Sequence, residues 1–311
     1  MRPLKTALGP YGHTQILKDG RIKPAGFDLD FIEISPMNAG FRKMVRNLEY
    51  DICEVAITTY LVAKEFNKGF TALPIPLNHM FHFGDVQVGT DTGIETPNDL
   101  MGKRVGVRAY TVTTGVWVRG ILENEYGVDS SSIRWVTDDE EHVTEYGPPA
   151  NVEASGGPTL VELFQSGDIA AAFAGRAGLG RTGATATREF RPLFADAARL
   201  DSAWYARTRI YPIHGVLCVR DDVLAGNPGL PQALYDAFAQ AKDLWLAELT
   251  RDGAKSADDT RWLDMQAIVG DPLPLGLEAN RPTIETMIDY AFTQKLIAKR
   301  RTPEELFLSI S

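Results

Sequence analysis

Cysteine is scarce in this sequence, and long apolar runs do not occur in it. The 311 residues include two cysteines, Cys53 and Cys218, and both lie in apolar, strand-like runs. We therefore expect reduced core thiols, with a disulfide or a nucleophile as the alternative. No run approaches the roughly 18 apolar residues of a membrane helix. The first residues also lack the apolar core of a secretion signal, so we expect a cytoplasmic protein without a membrane partner, a trimmed signal being the alternative.

Positive charge is in the minority as well. The chain has 32 Lys and Arg against 41 Asp and Glu, a formal net charge of -9. This balance argues against nucleic acid or an anionic membrane as the main partner. It leaves room for a small anionic ligand, because a local cluster of arginines can outweigh the overall sign. With 44% apolar residues, the chain can bury a sizeable core, in two domains or in one large domain.

The chain does have a regular alternation of strand-like and helix-like segments, of which residues 103–117 are an example. Residues 105–107 are short and apolar, as in a buried strand. Thr111, Thr113 and Thr114 follow, and a helical apolar period begins at Val116. The pattern predicts a strand, a turn and a capped helix start, whose free amides and positive dipole end suit an anion. A plain βα unit without a ligand is the alternative.

The same reasoning predicts further elements along the chain. Alternating or continuous apolar runs predict strands at 4–8, 27–32, 51–55, 72–76, 133–136, 169–174 and 215–220. Helical spacing predicts helices at 36–47, 57–66, 160–164 and 230–249, a helix with Pro282 in its first turn that runs to residue 296, and a short capped helix at 302–307. The acidic stretch 138–157 has no period, which predicts an exposed loop or hairpin.

One arrangement, a helix followed by a turn, an Asp and a strand, occurs twice. It surrounds Asp51 at residues 41–52 and Asp168 at residues 160–169. The loop after each strand would lie at its carboxyl end, where ligands bind in open α/β sheets. The repeat therefore predicts two similar lobes with a ligand cleft between them.

Several short runs, taken together, resemble a known family. They are residues 19–21, Asp51 with Glu54 and residues 59–61, residues 117–123 and 125–128, Tyr205 with residues 207–208 and 211–213, and residues 276–281. With these runs, along nearly its whole length, the chain resembles the 4,5-dihydroxyphthalate decarboxylase family. The resemblance implies an α/β, two-lobe type II periplasmic-binding-protein-like fold, whose first lobe is made from both ends of the chain. We expect residues 1–84 plus 212–311 in lobe I and residues 85–211 in lobe II.

The sequence departs from the family pattern at several cations. An Asp-Arg pair is usual where Gly12 and His13 stand, another Arg is usual at Gln15, and an Arg-x-Phe-Arg-His run is usual at residues 79–83. Arg binds carboxylates bidentately and His does not. We therefore expect a substrate that carries fewer carboxylates than a phthalate, or that binds them differently.

The activity that the resemblance implies is the decarboxylation of a hydroxylated aromatic acid, a small-molecule aromatic carboxylate. The leaving carboxylate must be held away from water, a ring hydroxyl must lose its proton, and a general acid must protonate the ring. No cofactor is required. A non-catalytic solute-binding protein for an aromatic or anionic ligand is the first alternative, and another lyase or synthase on this fold is the second. Whether the chain forms a homo-oligomer is left open.

Histidine is the side chain most easily tuned to exchange protons near neutral pH, and the chain has five. His13, His79, His82 and His214 fall in predicted loops or strand ends, while His142 lies in the acidic stretch. We predict that His79 or His82 protonates the ring, with His214 in reserve and His13 in substrate binding. A hydrogen-bonded loop histidine is the alternative for each. The His-x-x-His spacing also occurs in metal sites, with Asp85 as the nearby carboxylate, but we predict no metal.

The remaining candidates stand at predicted strand ends and helix starts. Glu54 would accept a phenolic proton or cap the following helix. Thr58, Thr59 and Thr113 would bind a carboxylate or cap their own helices. Arg108 and Arg176 would hold an anion or form surface ion pairs. Tyr110 and Tyr211 are added as substrate-binding residues. We expect one cleft to be lined by nine residues: Glu54, Thr58, Thr59, His79, Arg108, Tyr110, Thr113, Arg176 and His214.

Overall fold

The structure, a computed structural model, describes residues 2–181, 183–184 and 186–310. The strands are β1 (Leu4–Ala7), β2 (Leu29–Phe31), β3 (Ile52–Ala56), β4 (Phe70–His79), β5 (Val86–Gly89), β6 (Arg104–Gly106), β7 (Arg134–Thr137), β8 (Val152–Ala154), β9 (Ala171–Phe173), β10 (Phe190–Pro192) and β11 (Ile213–Arg220). The α-helices are α1 (Gly12–Lys18), α2 (Met37–Asn47), α3 (Ile57–Glu65), α4 (Thr113–Tyr126), α5 (Leu160–Ser166), α6 (Ala197–Thr208), α7 (Asp221–Gly226), α8 (Leu230–Asp252), α9 (Ala257–Val269), α10 (Leu277–Thr293) and α11 (Pro303–Leu306).

Contacts between residues divide the described chain into two compact units. Unit 1 comprises the residues up to Met80, Ile213–Glu285 and the residues from Arg301 onward. Unit 2 comprises Phe81–Pro212 and Thr286–Arg300. The segment Thr286–Arg300, expected in lobe I, is thus grouped with the middle of the chain.

The reason for that grouping lies in two side chains of the segment. The ring of Tyr290 packs edge-on against Trp117 of α4, with ring centroids 5.7 Å apart. Gln294 accepts a hydrogen bond of 2.8 Å from Arg119 Nε and donates one of 2.9 Å to the Val116 carbonyl. Both contacts are buried, so they bind the end of α10 and the residues after it to α4.

Unit 1 is built on a mixed sheet with the strand order β2-β1-β3-β11-β4. Strand β1 runs parallel to β2 and β3, while β11 runs antiparallel to β3 and β4. Helix α8 places Leu234, Phe238 and Trp245 in the apolar core beneath the sheet. Their spacing follows the helical period, and burial of such a stripe is the main source of stability for an amphipathic helix.

Strand β4 runs on to His79, beyond the predicted end at residue 76. It contains Pro74 and Pro76, which lack the amide hydrogen that a central strand needs, and it stands at the edge of its sheet. Gly276 N–H donates to the Pro74 carbonyl and Leu308 N–H to the Ala72 carbonyl. These segments cover part of an edge that would otherwise be open to pairing with other chains.

Unit 2 has its own mixed sheet, with the strand order β10-β5-β9-β6-β7-β8. Strand β6 is parallel to β7 and β9, and β5 is antiparallel to β9 and β10. Helix α4 follows β6, and its residues from Thr113 to Leu122 are all buried. A helix buried on every side belongs to the core of its unit.

Two expectations about the elements were wrong, and not every element was predicted. The helix at Pro282 begins at Leu277, so the proline lies inside it; Asn280 Nδ2 holds that earlier start by donating to the carbonyls of Pro274 and Gly276. The stretch 138–157, predicted as an exposed loop or hairpin, is a partly buried loop that leads into β8. It buries His142, and because β8 runs parallel to β7 the two strands do not form a hairpin. Helix α9, which includes the buried Trp262, was not predicted at all.

Both cysteines are buried free thiols, as expected. Among the described residues, no helix is both long and apolar enough to cross a membrane.

Candidate active site

Glu54 is a buried carboxylate in the middle of the chain's third strand. It lies within β3, not in the loop after it, and is 1% exposed. Its Oε1 accepts a hydrogen bond of 2.8 Å from the Tyr11 hydroxyl, and its Oε2 accepts one of 2.9 Å from the Gly9 amide. Each carboxyl oxygen therefore has a donor from the loop that follows β1.

Two glycines make room for this carboxyl group. A Cβ at Gly9 would lie 2.8 Å from Glu54 Oε2, and a Cβ at Gly215 of β11 would overlap Oε1. No side chain fits at either place without moving the carboxyl group. The backbone of the loop after β1 and that of β11 thus leave little space around the carboxyl group of Glu54.

The surroundings of Glu54 act in opposite directions on its affinity for a proton. Burial raises the pKa of Glu54, because the charged form loses its water. The hydrogen bonds from Tyr11 and Gly9 lower the pKa, but less than burial raises it. The result is a carboxylate that is a stronger base than an exposed glutamate. Its bonds run to Tyr11 and Gly9, and the N-cap residue of α3 is Ala56, so Glu54 does not cap that helix.

His13 lies in α1 as a buried ring among aromatic side chains. It stacks on Tyr11 with ring centroids 5.4 Å apart and planes 4° apart, and it also contacts the rings of Trp245 and Trp262. Within the described residues, neither ring nitrogen has a hydrogen-bond partner. Burial lowers the pKa of His13 to about 3, so the ring is neutral near pH 7. A neutral ring lacks the positive charge with which the arginine that is usual at this position in the resembling family would bind a carboxylate.

His79 and His214 stand on adjacent strands at one end of the sheet of unit 1. His79 is the last residue of β4 and is buried, whereas His214 is the second residue of β11 and is half-buried. The strands pair Ile213 with His79, and the register shifts between Ile213 and Gly215. Because Gly215 also adjoins the carboxyl group of Glu54, this irregular pairing lies next to the carboxylate.

Thr58 and Thr59 lie in the first turn of α3, directly after β3, and both are buried. Because the N-cap residue of this helix is Ala56, neither threonine caps it. The first turn of a helix presents amide hydrogens and a positive dipole end. The two hydroxyl groups therefore stand where a carboxylate would be favoured.

A second group of predicted residues belongs to unit 2, around the start of α4. Its N-cap residue is Val112, so the predicted threonine cap is wrong. The Thr111 hydroxyl instead donates to Glu141, whose carboxylate also accepts a hydrogen bond of 2.6 Å from the Tyr110 amide. These bonds draw the acidic stretch against the start of α4. Thr113 is the first residue of the helix and is buried.

The two predicted arginines differ in their surroundings. Arg108 is buried, and its Nη1 lies 3.1 Å from Asp139 Oδ2, so it forms a buried ion pair instead of a surface one. Arg176 is exposed in a short turn of 3₁₀ helix after β9. Of the two predicted tyrosines, Tyr110 carries the guanidinium of Arg119 over its ring, and Tyr211 packs against Phe81 with ring centroids 5.2 Å apart.

His82 is buried in unit 2 and is oriented by a carboxylate. Its Nδ1 lies 2.7 Å from Asp85 Oδ2. Asp201 of α6 accepts a hydrogen bond of 3.3 Å from the Phe83 amide, and burial raises the pKa of Asp201 to about 6. In the part of the chain that the structure describes, no three His, Cys, Asp or Glu side chains are grouped so as to hold a metal ion.

The structure therefore brings Glu54, His79 and His214 to neighbouring strands of unit 1 and places Arg108, Tyr110 and Thr113 together in unit 2. That all of them line one cleft stays a prediction.

Tyr11 and Glu141 were missed. Tyr11 could have been found, because it follows β1 where the parallel neighbour β3 carries Glu54. For Glu141, the sequence indicates no role beyond membership of an acidic stretch.

The chain is similar to two curated proteins. It is 30% identical, over an alignment of 318 residues, to a 4,5-dihydroxyphthalate decarboxylase from Comamonas testosteroni, covering 98% of this chain and 96% of that protein. It is 32% identical over 183 residues to a 4,5-dihydroxyphthalate decarboxylase from Pseudomonas putida, covering 56% of this chain and 70% of that protein. No protein-family model matches the chain.

Solved structures share the fold at low identity. An alkanesulfonate-binding protein from Xanthomonas axonopodis pv. citri superposes with a TM-score of 0.60 at 14% identity, covering 98% of this chain and 97% of that one. The desulfurization enzyme DSZB superposes with a TM-score of 0.56 at 17% identity, covering 99% and 96%. The fold is thus that of the periplasmic binding proteins, as the sequence predicted. The identity over nearly the full length of the Comamonas relative shows that the chain belongs to the 4,5-dihydroxyphthalate decarboxylase family.

Proposed function

We propose that the chain is a carboxy-lyase that releases CO2 from a hydroxylated aromatic acid related to 4,5-dihydroxyphthalate. The observation that carries the proposal is the 30% identity to a protein of that name over 98% of the chain. Further support comes from the buried Glu54, the histidines on the neighbouring strands and the threonines at the start of α3, which are groups of the kinds that this chemistry needs. We also propose that the chain is cytoplasmic, because its two cysteines are buried free thiols, as is usual in a reducing compartment.

Glu54 is the base in this account. A base is most effective when its pKa lies near the working pH, and burial moves the pKa of Glu54 upward, in that direction. The carboxylate takes the proton of a ring hydroxyl, so that the oxygen can push electron density into the ring. The Tyr11 and Gly9 donors keep the ionised form accessible in spite of burial.

His79 is the proton donor, and His82 is the second candidate. His79 lies in the same unit as Glu54, at the end of the strand that pairs with β11. It protonates the ring carbon that bears the carboxylate. The carbon–carbon bond then breaks, its electron pair restores the aromatic ring, and CO2 leaves. Glu54 returns its proton to the oxygen and His79 takes a new proton from solvent, so that overall one solvent proton replaces the carboxylate.

Thr58 and Thr59 hold the leaving carboxylate. Their hydroxyl groups and the amides of the first turn of α3 are buried, which strengthens each hydrogen bond to an anion. Seven further residues stay proposed for substrate binding or as reserves: Arg108, Tyr110, Thr113, Arg176, Tyr211, His13 and His214.

The test is the release of CO2 by the purified chain from a panel of acids. The panel contains 4,5-dihydroxyphthalate, phthalate, 3,4-dihydroxybenzoate and 4-hydroxybenzoate, with Glu54→Gln as the inactive variant and the exposed Glu95→Gln as its control. We expect CO2 from at least one hydroxylated acid, none from phthalate, and a loss confined to Glu54→Gln. Binding of these acids without CO2 release would favour a solute-binding protein and overturn the proposal.

A further inference from the structure

Tyr11 contacts the proposed base directly, although it was not among the residues that we predicted for the site. Its hydroxyl donates to Glu54 Oε1 at 2.8 Å, while the Gly9 amide donates to Oε2 at 2.9 Å. The two donors are two residues apart on one loop. They hold the carboxyl group from one side, and Gly215 of β11 lies against it from the other.

Thr14 ties this loop together. Its Oγ1 donates a hydrogen bond of 2.6 Å to the Gly9 carbonyl and accepts one of 2.9 Å from the Tyr11 amide. The two residues that bind Glu54 are thereby fixed relative to each other. The loop is a preorganised support, so little freedom is lost when a substrate arrives.

The ring of Tyr11 is fixed as well. It stacks on His13, which is enclosed by Trp245 and Trp262. His13 is neutral near pH 7, so it neither competes for the proton nor adds a charge beside the tyrosine.

We infer that Tyr11 is the positioning residue that orients Glu54 and sets the pH at which the proposed base gives up its proton. The inference rests on the role of Glu54 proposed above. A phenol hydroxyl that donates to a carboxylate stabilises the ionised form more than the neutral form. Without that donor, less remains to offset the rise in pKa that burial causes, so Glu54 would ionise at a higher pH.

The other ionisable groups near Tyr11 and Glu54 have less direct effects on the pKa of Glu54. Lys18 of α1 acts on Glu54 at a distance and lowers its pKa, and the buried thiols of Cys53 and Cys218 stay neutral because burial raises their pKa values. Arg261 and Asp258 of α9 act on Tyr11 with opposite signs. Tyr11 is therefore the group whose removal changes the proton affinity of Glu54 most directly.

The experiment compares the pH dependence of kcat/KM for CO2 release from 4,5-dihydroxyphthalate between pH 5 and 9. The variants are Tyr11→Phe and, as a control, Tyr60→Phe, which also removes a buried hydroxyl but one that donates to the Leu306 carbonyl of the same unit. Incorporation of 3-fluorotyrosine at position 11 provides a third protein. It keeps the hydroxyl group and makes it a stronger donor.

We expect the acid limb of the profile to move up by about one pH unit in Tyr11→Phe, to move down with 3-fluorotyrosine, and to stay in place in Tyr60→Phe. An acid limb that is unchanged in both proteins altered at position 11 would overturn the inference, even if kcat falls. Should Tyr11→Phe fail to fold, the direction of the shift with 3-fluorotyrosine decides. A wild-type chain that releases no CO2 would instead overturn the proposed function.

Discussion

The guanidinium group of Arg119 lies over the ring of Tyr110, with Cζ 3.9 Å from the ring centroid, and its Nη2 donates a hydrogen bond of 2.6 Å to the Tyr110 carbonyl. Arg119 is completely buried, and Nε donates to Gln294. Burial lowers the pKa of Arg119, because the charged form is removed from water. The flat guanidinium joins α4 to the loop before it and to the residues after α10.

We expect Arg119→Lys to destabilise the protein by about 3 kcal/mol. An ammonium group cannot form both hydrogen bonds while stacking flat on the ring, and breaking a buried charged network typically costs 3–5 kcal/mol. Urea unfolding followed by circular dichroism measures the loss. Arg134→Lys is the control, since that side chain is 59% exposed and its ion pair with Glu153 should contribute under about 1 kcal/mol. Equal stability of the two variants would contradict this account of Arg119.

Asp51 gives the stability of unit 1 a dependence on pH. Burial would raise its pKa, but the hydrogen bonds from Arg2 and the Lys5 amide, with the charges of Arg2 and Arg220, lower it overall. A carboxyl group with a lowered pKa in the folded state stabilises the protein above its unfolded pKa of about 4, and this stability is lost as the pH falls through the folded pKa.

Asp51→Asn should therefore lower the free energy of unfolding by about 1–3 kcal/mol at pH 7. The difference from the wild type should shrink as the pH is lowered below about 4. Urea unfolding at a series of pH values measures both. In Asp91→Asn, where the carboxylate is 67% exposed, the change should stay under about 1 kcal/mol. A difference for Asp51→Asn that is constant from pH 7 to pH 3 would refute the linkage.

Gly215→Ala tests the narrow position of Glu54. The new methyl group would overlap Glu54 Oε1, which is the far end of a flexible side chain, so the carboxyl group should move while the sheet stays intact. We expect kcat to fall roughly 10²-fold, as for a reacting group displaced by about 1 Å, with unfolding nearly unchanged. Gly226→Ala is the matched control, because a Cβ there meets nothing within 4 Å. Wild-type kcat in Gly215→Ala would mean that the position of Glu54 does not matter for turnover.

His79→Gln and His82→Gln distinguish the two candidate proton donors. Loss of the general acid should lower kcat by roughly 10²–10⁴-fold with KM less affected, whereas loss of a binding group raises KM and leaves kcat nearly unchanged. We expect the fall in kcat for His79→Gln. If it occurs for His82→Gln instead, the carboxylate of Asp85 orients the donor. If both variants keep wild-type turnover, His214 becomes the candidate.

Much of the fold could be predicted because the apolar patterns are local. The strands around Val105 and Cys218 and the long helix that begins at Leu230 follow from their own periods. Helix α9 could not be predicted in this way. Trp262 is its one buried residue, and the polar residues around it give no helical apolar period. The acidic stretch looked exposed, since nothing in its composition shows that Glu141 binds the amides before α4.

The site was harder to predict than the fold, for a physical reason. Strand ends point to candidates such as Glu54 and His79, but which groups meet depends on strand register and on spaces left by glycines. The neutral state of His13 depends on three aromatic rings from α8, α9 and the loop before α1, which no local pattern connects.

The central claim is that this chain replaces a ring carboxylate by a proton, and one measurement tests it most directly. The purified protein is incubated with 4,5-dihydroxyphthalate in D2O, and released CO2 and the aromatic product are analysed together by gas measurement and proton NMR. We predict one CO2 per product molecule and one deuterium at the carbon that carried the lost carboxylate. Recovery of the acid unchanged, with no CO2 released while the acid is bound, would contradict the account.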